Sequence, residues 1–212
     1  MVNSLIQKLT EYCENHTTSQ TELLYDLERE TNLKTLAPQM TSGHLQGQFL
    51  SLLSHLIQPK AILEIGTFTG YATICLAQGL QKNGIIHTIE VNEELEYLSK
   101  KYFEKSGLQH KIKTHIGNAK TIIPTLKEEF DIVFIDAGKL DYPEFYDLIF
   151  DRVKKGGLIL SDNVLWSGKI VNGATDKHTR QLDFYNKKLL KDDRIEQLIL
   201  PLRDGMGIAR KL

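Results

Sequence analysis

Two short segments bring together side chains able to do chemistry. Asp136-Ala137-Gly138-Lys139 follows the apolar run 131–135, and Asp162-Asn163 follows the apolar run 157–161. Carboxylate and amide oxygens are hard donors that suit Mg²⁺, Mn²⁺ or Ca²⁺, whereas zinc would want His or Cys. Asp136, Asp162 and Asn163, from consecutive strand ends, could converge on one ion and leave positions for water or substrate. Lys139 could then remove a proton from a bound hydroxyl, provided burial or a nearby cation lowers its pKa. Plainer roles exist for each: Asp162-Asn163 as a turn-forming pair, Asp136 as a helix cap, Lys139 as a solvated surface lysine.

A second constellation lies upstream. Glu64-Ile65-Gly66-Thr67-Phe68-Thr69-Gly70-Tyr71 follows Ala61-Ile62-Leu63, and a helical pattern runs over 71–80. Strand, tight turn and helix in that order form the unit on which nucleotide-like cofactors are held. Gly66 and Gly70 let the main chain bend sharply and let a ligand approach its N–H groups. A pyrophosphate would need a glycine where Phe68 stands, and Glu64 just before the turn would repel it. A phosphate-free cofactor with a positive centre fits better, and S-adenosylmethionine is such a molecule. Glu90 ends the next apolar run, where an acid can accept hydrogen bonds from both hydroxyls of an adenosine ribose. Taken alone, 64–66 could be an ordinary strand end with a turn glycine. Two acids at two strand ends favour the adenosine cofactor.

Positioning these groups requires a sheet whose strand ends share one edge. Apolar, β-rich runs recur at 61–65, 85–90, 112–116, 131–135 and 157–161, with helical patterns over 95–105, 119–129 and 142–153. Strands apolar on both faces that alternate with amphipathic helices predict a mostly parallel sheet covered on both sides, a Rossmann-like α/β fold. The end differs: 195–202 and 206–210, joined through Arg203-Asp204-Gly205, read as an antiparallel hairpin. Upstream, 5–12, 23–30 and 44–57 look helical, broken by polar stretches and by Pro38, so residues 1–57 are expected to cap the cofactor site.

The chain has 212 residues, 41% hydrophobic and 25% charged, enough for one sizeable core, so residues 1–212 are expected to form one domain. Lys and Arg number 26 against 27 Asp and Glu, a balance that suggests no polyanion partner. Cys13 and Cys75 lie far apart and form no metal-type spacing, which points to a reduced, cytoplasmic compartment. Asn3, Gln7 and Lys8 interrupt the first apolar residues, unlike a signal peptide, and no apolar run approaches bilayer length.

Taken together, Met40-Thr41-Ser42, Gly47-Gln48-Phe49-Leu50, the 64–71 turn, Phe134-Ile135-Asp136-Ala137 with Lys139, Asp162-Asn163 with Leu165-Trp166 and Gly168, and Asp204-Gly205 resemble the cation-dependent O-methyltransferases, the caffeoyl-CoA and catechol O-methyltransferase family. The resemblance runs from about Met40 to Arg210 in similar order and spacing. It implies a class I methyltransferase fold, with Asp136, Asp162 and Asn163 as metal ligands and Lys139 as general base. Met40, Ser42, Glu64, Gly66, Ala72, Glu90 and Ala119 match cofactor-contacting positions, and Gly70 and Asp136 are counted with them. One departure stands out: plant members read Asp-Ala-Asp-Lys where this chain has Gly138 as the third residue.

The reaction implied is methyl transfer from S-adenosylmethionine to a small vicinal-dihydroxy aromatic, a phenolic acceptor of catechol or hydroxycinnamoyl type. Mg²⁺ is the first choice of cation. Trp166, the only tryptophan, could wall the acceptor pocket or serve core packing. A homodimer is the expected assembly. The alternative acceptor is a hydroxylated uridine of transfer RNA, which the near-neutral charge disfavours; Lys100-Lys101, Lys111 with Lys113, and Lys187-Lys188 are more simply solvated faces. A nucleotide-dependent oxidoreductase is disfavoured by Phe68 and by Asp162-Asn163. A non-catalytic binding module would have no need of Asp136, Lys139, Asp162 and Asn163 together.

Overall fold

The computed structural model describes residues 2–173 and 176–212. Seven strands form one sheet: β1 (Ala61–Ile65), β2 (Ile85–Glu90), β3 (Ile112–Ile116), β4 (Phe130–Ile135), β5 (Val153–Ser161), β6 (Ile195–Leu200) and β7 (Met206–Lys211). Their order is β3-β2-β1-β4-β5-β7-β6. The first five run parallel, and β7 pairs antiparallel with both β5 and β6. The chain order reverses at β1, so β2 and β4 flank it and their loops splay apart beyond the strand ends. That is where an open α/β sheet offers a crevice.

Each helix covers the sheet for a reason visible in the strands. Every residue of β1 is buried, and successive side chains point to opposite faces. Ile62 packs with Leu50, Ile74, Tyr102 and Phe134, while Leu63 packs with Val133, Tyr146 and Tyr185. Helices α3 (Gly43–Ile57), α4 (Tyr71–Ala77) and α5 (Glu96–Lys105) supply the first of these cores. Helices α7 (Tyr142–Phe150) and α8 (Lys177–Leu190) supply the second. At the N-terminal end, α1 (Val2–Asn15) and α2 (Glu22–Lys34) precede α3. Thr21 caps α2 by accepting the Leu24 N–H.

Some predicted boundaries move. The helix expected over 119–129 is only α6 (Ala119–Ile122) and one 3₁₀ turn, because Pro124 has no N–H to continue an α-helical ladder. The helix expected over 142–153 stops at Phe150, and Val153 already belongs to β5. That strand begins four residues before the predicted start at 157: Phe130 pairs Val153, but Ile132 pairs Leu158, so a bulge lies between. Gly156 takes φ +81° there. The sequence reading assigned no helix to α8, whose buried face of Thr179, Leu182, Tyr185 and Leu189 is narrow within an otherwise charged segment.

Candidate active site

A cavity of about 730 Å³ opens beyond the parallel strand ends. One end is shaped by main chain. Gly66 leaves β1 at φ +105°, and a Cβ there would stand 1.9 Å from the Asp136 carbonyl oxygen, so only glycine permits this approach. Its N–H donates to Ile89 O at 2.9 Å, while Asp136 N–H donates to Ile65 O at 2.8 Å. These bonds bring the ends of β1, β2 and β4 together. Phe68, at φ +50°, donates its N–H to Glu90 Oε2 at 2.7 Å, and Asn92 N–H reaches Glu90 Oε1 at 2.9 Å. The turn therefore aims the Glu90 carboxylate before any ligand arrives.

The other end is built from side chains. Asp162 is 2% exposed. Its Oδ1 accepts Asn163 N–H at 2.8 Å and its Oδ2 accepts Gln46 Nε2 at 2.9 Å. Burial, and then the charge of Asp136, push the Asp162 carboxyl up to about 6. Lys139, also buried, donates to Asp136 Oδ1 at 3.1 Å and to Tyr142 Oη at 2.7 Å. Tyr142 Oη in turn lies 3.0 Å from Ile135 O and 2.9 Å from Asp162 O, so one hydroxyl ties the ends of β4 and β5 to the lysine. Beyond Asp162 the backbone turns left-handed at Asn163 (φ +59°), Trp166 (+47°) and Ser167 (+53°). Such conformations persist in non-glycine residues only where surroundings impose them. Here the β6–β7 turn does so: Asp204 O accepts Leu165 N–H at 2.9 Å, Gly205 O accepts Val164 N–H at 3.0 Å, and Asp204 Oδ1 accepts Ser167 N–H.

Asp136, Asp162 and Asn163 all line the cavity. Among the described residues, no three His, Cys, Asp or Glu side chains group as a metal site, so a cation here would take the Asn163 amide as its third protein donor. Two carboxylates with a neutral amide beside them form a donor set suited to a hard cation. On the cofactor side, Glu90, Gly66 and the main chain of the turn suit an adenosine.

These features have counterparts in known proteins. The sequence matches the O-methyltransferase family over residues 14–212. The chain belongs to that family. It is 36% identical over 186 residues to caffeoyl-CoA O-methyltransferase 2 of Petunia hybrida, covering 82% of this chain and 77% of the relative. It is also 36% identical over 197 residues to caffeoyl-CoA O-methyltransferase 1 of Zea mays, covering 87% and 76%. Among solved structures, it resembles the SAH-bound Podospora anserina methyltransferase PaMTH1 (TM-score 0.90, 27% identity, 99% and 96% of the two chains). The O-methyltransferase TomG of Streptomyces achromogenes, in complex with SAM, is similar too (TM-score 0.88, 27% identity, 96% of each chain). The enzyme is thus an O-methyltransferase whose methyl donor is S-adenosylmethionine, on the mostly parallel class I sheet expected.

Of the residues singled out in the sequence, Met40, Ser42, Gly66, Ala72, Glu90, Ala119 and Asp136 line the cavity, as do Lys139, Asp162, Asn163 and Trp166. Glu64 and Gly70 stand outside the lining. Glu64 is fully buried beneath α4, where its Oε2 accepts the Thr73 hydroxyl and, at 2.5 Å, the Thr88 hydroxyl. Burial pushes its carboxyl up to about 8, and Oε1 is buried without a protein partner among the described residues. Gly70 (φ +91°) instead lets the turn pack on Phe103, whose ring a Cβ would meet at 2.5 Å. Gly138, where the family resemblance led to an expected acid, has an ordinary φ of −57°. A Cβ there would lie 3.6 Å from Asp141 Oδ2, so another carboxylate already neighbours the missing one.

Sequence reading missed Gln46, Tyr142 and His178. His178 lines the cavity and stacks on Trp166, with ring centroids 5.9 Å apart. Gln46 adjoins the Gly47-Gln48 motif, but nothing local marks it as a partner of a residue far along the chain. Among the described residues, no helix is long and apolar enough to cross a membrane.

Proposed function

We propose that this enzyme methylates one hydroxyl of a small vicinal-dihydroxy aromatic, with a divalent cation held by Asp136, Asp162 and Asn163. The observation that carries the reading is the presence of these three donors with Lys139 and Trp166 in the lining of one cavity. When bound, a divalent cation, Mg²⁺ first and Mn²⁺ or Ca²⁺ next, supplies positive charge that stabilises a deprotonated hydroxyl. Glu90 and the 66–68 main chain hold the adenosine, and Met40 and Ser42 close over it from the N-terminal cap. Lys139 takes the acceptor's proton, and Tyr142 and Asp136 keep its Nζ in place. The names of the plant relatives support a phenolic acceptor of the caffeoyl-CoA kind. The transfer RNA alternative is weaker, because its candidate basic surface is largely neutralised: Lys100 pairs with Glu96, Lys101 with Glu30, Lys187 with Asp183 and Lys188 with Asp147.

Incubation with labelled S-adenosylmethionine and a panel of catechols, hydroxycinnamoyl thioesters and undermodified transfer RNA tests the reading. Label should appear in a phenolic acceptor and vanish after exhaustive chelation. Full activity without metal would overturn the cation; label only in RNA would overturn the acceptor. A homodimer is part of the proposal. Leu5, Leu9 and Tyr12 on α1 and Leu52 and Leu56 on the adjoining α3 are exposed apolar residues, a patch of the kind a second copy covers. Light scattering at the monomer mass would set that aside. A cytoplasmic location is part of the same proposal.

A further inference from the structure

The cation-side carboxylate Asp162 is held from outside its own motif. Gln46, on α3, is wholly buried and sends its amide nitrogen to Asp162 Oδ2 at 2.9 Å. Its amide oxygen faces Arg203 Nη1 at 3.4 Å. The same Nη1 donates to the carbonyl oxygen of Ser42, in the loop that roofs the cofactor side. The chemistry of the two neighbours fixes which way the amide points. A carboxylate needs an N–H and a guanidinium needs an oxygen, so a flipped amide would set oxygen against oxygen and nitrogen against nitrogen. Arg203 itself sits at φ +50° in the β6–β7 turn, the turn that also holds the loop beyond Asn163.

From this geometry we infer that Gln46 and Arg203 are positioning residues for Asp162. Arg203 sets the orientation of the Gln46 amide, and the amide sets the rotamer of the carboxylate that grips the cation. The inference rests on the cation reading above. It adds that the N-terminal cap, through Gln46 and Ser42, is mechanically joined to the cation end by one arginine. Outer hydrogen-bond partners of metal ligands commonly change affinity by about 10–100-fold when removed.

A double-mutant cycle on the full chain tests it, with Mn²⁺ affinity measured by calorimetry and folding checked by thermal unfolding. Gln46→Met should weaken Mn²⁺ binding by about tenfold or more. Arg203→Met should weaken it less, and adding Arg203→Met to Gln46→Met should cost nothing further. In the metal-free protein, the carboxamide proton signals missing from the Gln46→Met NMR spectrum should shift in Arg203→Met. Additive losses, or Mn²⁺ binding by folded Gln46→Met equal to wild type, would overturn the relay. So would carboxamide signals that ignore Arg203→Met, a readout that does not depend on metal binding. Wild-type protein that takes up no Mn²⁺ would overturn the cation reading instead, and the NMR result would still decide whether the relay exists.

Discussion

The two ends of the cavity are made in different ways. The cofactor end is local: a glycine that must be glycine, a left-handed Phe68 whose N–H meets Glu90, and crossing main-chain bonds between neighbouring strand ends. The carboxylate end, where a cation is proposed, is assembled from distant segments. Asp162 is held by Gln46, which is 116 residues away, and Ser42 by Arg203, which is 161 residues away. Backbone geometry fixes the first end with few degrees of freedom. The second depends on long side chains whose orientation must be set by one another, so single substitutions there should alter chemistry more than folding.

The largest test of that contrast is Lys139→Ala. If Lys139 takes the acceptor's proton, the chemical step should fall by about 10²–10⁴-fold. Binding of the demethylated cofactor should stay near wild type, because the lysine belongs to the other end. Single-turnover rates across pH distinguish this from activation by the cation alone, in which case the loss should be slight and shrink as pH rises. A loss below about threefold would remove Lys139 from the reaction.

Glu64 probes the floor between the two ends. Burial pushes its carboxyl up to about 8, above the ordinary carboxylate value of about 4.5. The stability it contributes is therefore fully present below about pH 4.5 and is lost as pH rises through about 8. Glu64→Gln, which keeps the shape and cannot ionise, should flatten that decline, by an amount on the order of a few kcal/mol. Chemical unfolding of both proteins at pH 5 and pH 8.5 reads it. Parallel pH profiles would mean that Glu64 is not protonated in the folded protein.

At the cofactor end, Glu90→Ala should weaken binding of S-adenosylmethionine by about 1–3 kcal/mol and leave Mn²⁺ affinity unchanged. Calorimetric titration with each ligand in turn checks both halves of that statement, and coupled losses would erase the distinction between the ends. The smallest effect is expected from Gly138→Asp. The backbone already suits an L residue and a Cβ has room there, so stability should hold within roughly 0.5 kcal/mol. A large drop in the unfolding midpoint would show that Asp141 and a second carboxylate cannot coexist.

The same contrast explains what could be read from the chain. β1, β2 and β3 fall on their predicted residues because apolar runs ended by glycine or an acid leave little choice of register. The 64–71 turn was legible because its constraint is steric and local. Asp136, Lys139, Asp162 and Asn163 were legible as types at strand ends, and all four line the one cavity. Gln46 and Tyr142 were not, since hydrogen bonding across the fold leaves no periodic trace in sequence. Glu64 shows how far a strand-end reading reaches. An acid at a strand end reads as a ligand to something outside, yet here its neighbours Thr73 and Thr88 draw it inward. The overlong helix at 119–129 was a matter of Pro124, and α8 went unassigned because only one narrow stripe of it is apolar.

The position of β7 has a consequence for how the protein is made. β7 lies between β5 and β6 although it follows both in the chain, so β6 has no place in the sheet until Met206–Lys211 has been synthesised. A nascent chain that has reached Ser161 can already close the parallel strands and the glycine turn, since domains gain structure from the N-terminal side during synthesis. It still lacks the turn carrying Arg203 and Asp204, and its β5 offers a bare edge, the kind of surface on which strands of other chains pair. The turn carrying Arg203 and Asp204 thus joins the site only after the parallel strands, and a chain cut short before Arg203 would be able to begin the cofactor cradle but unable to complete the site.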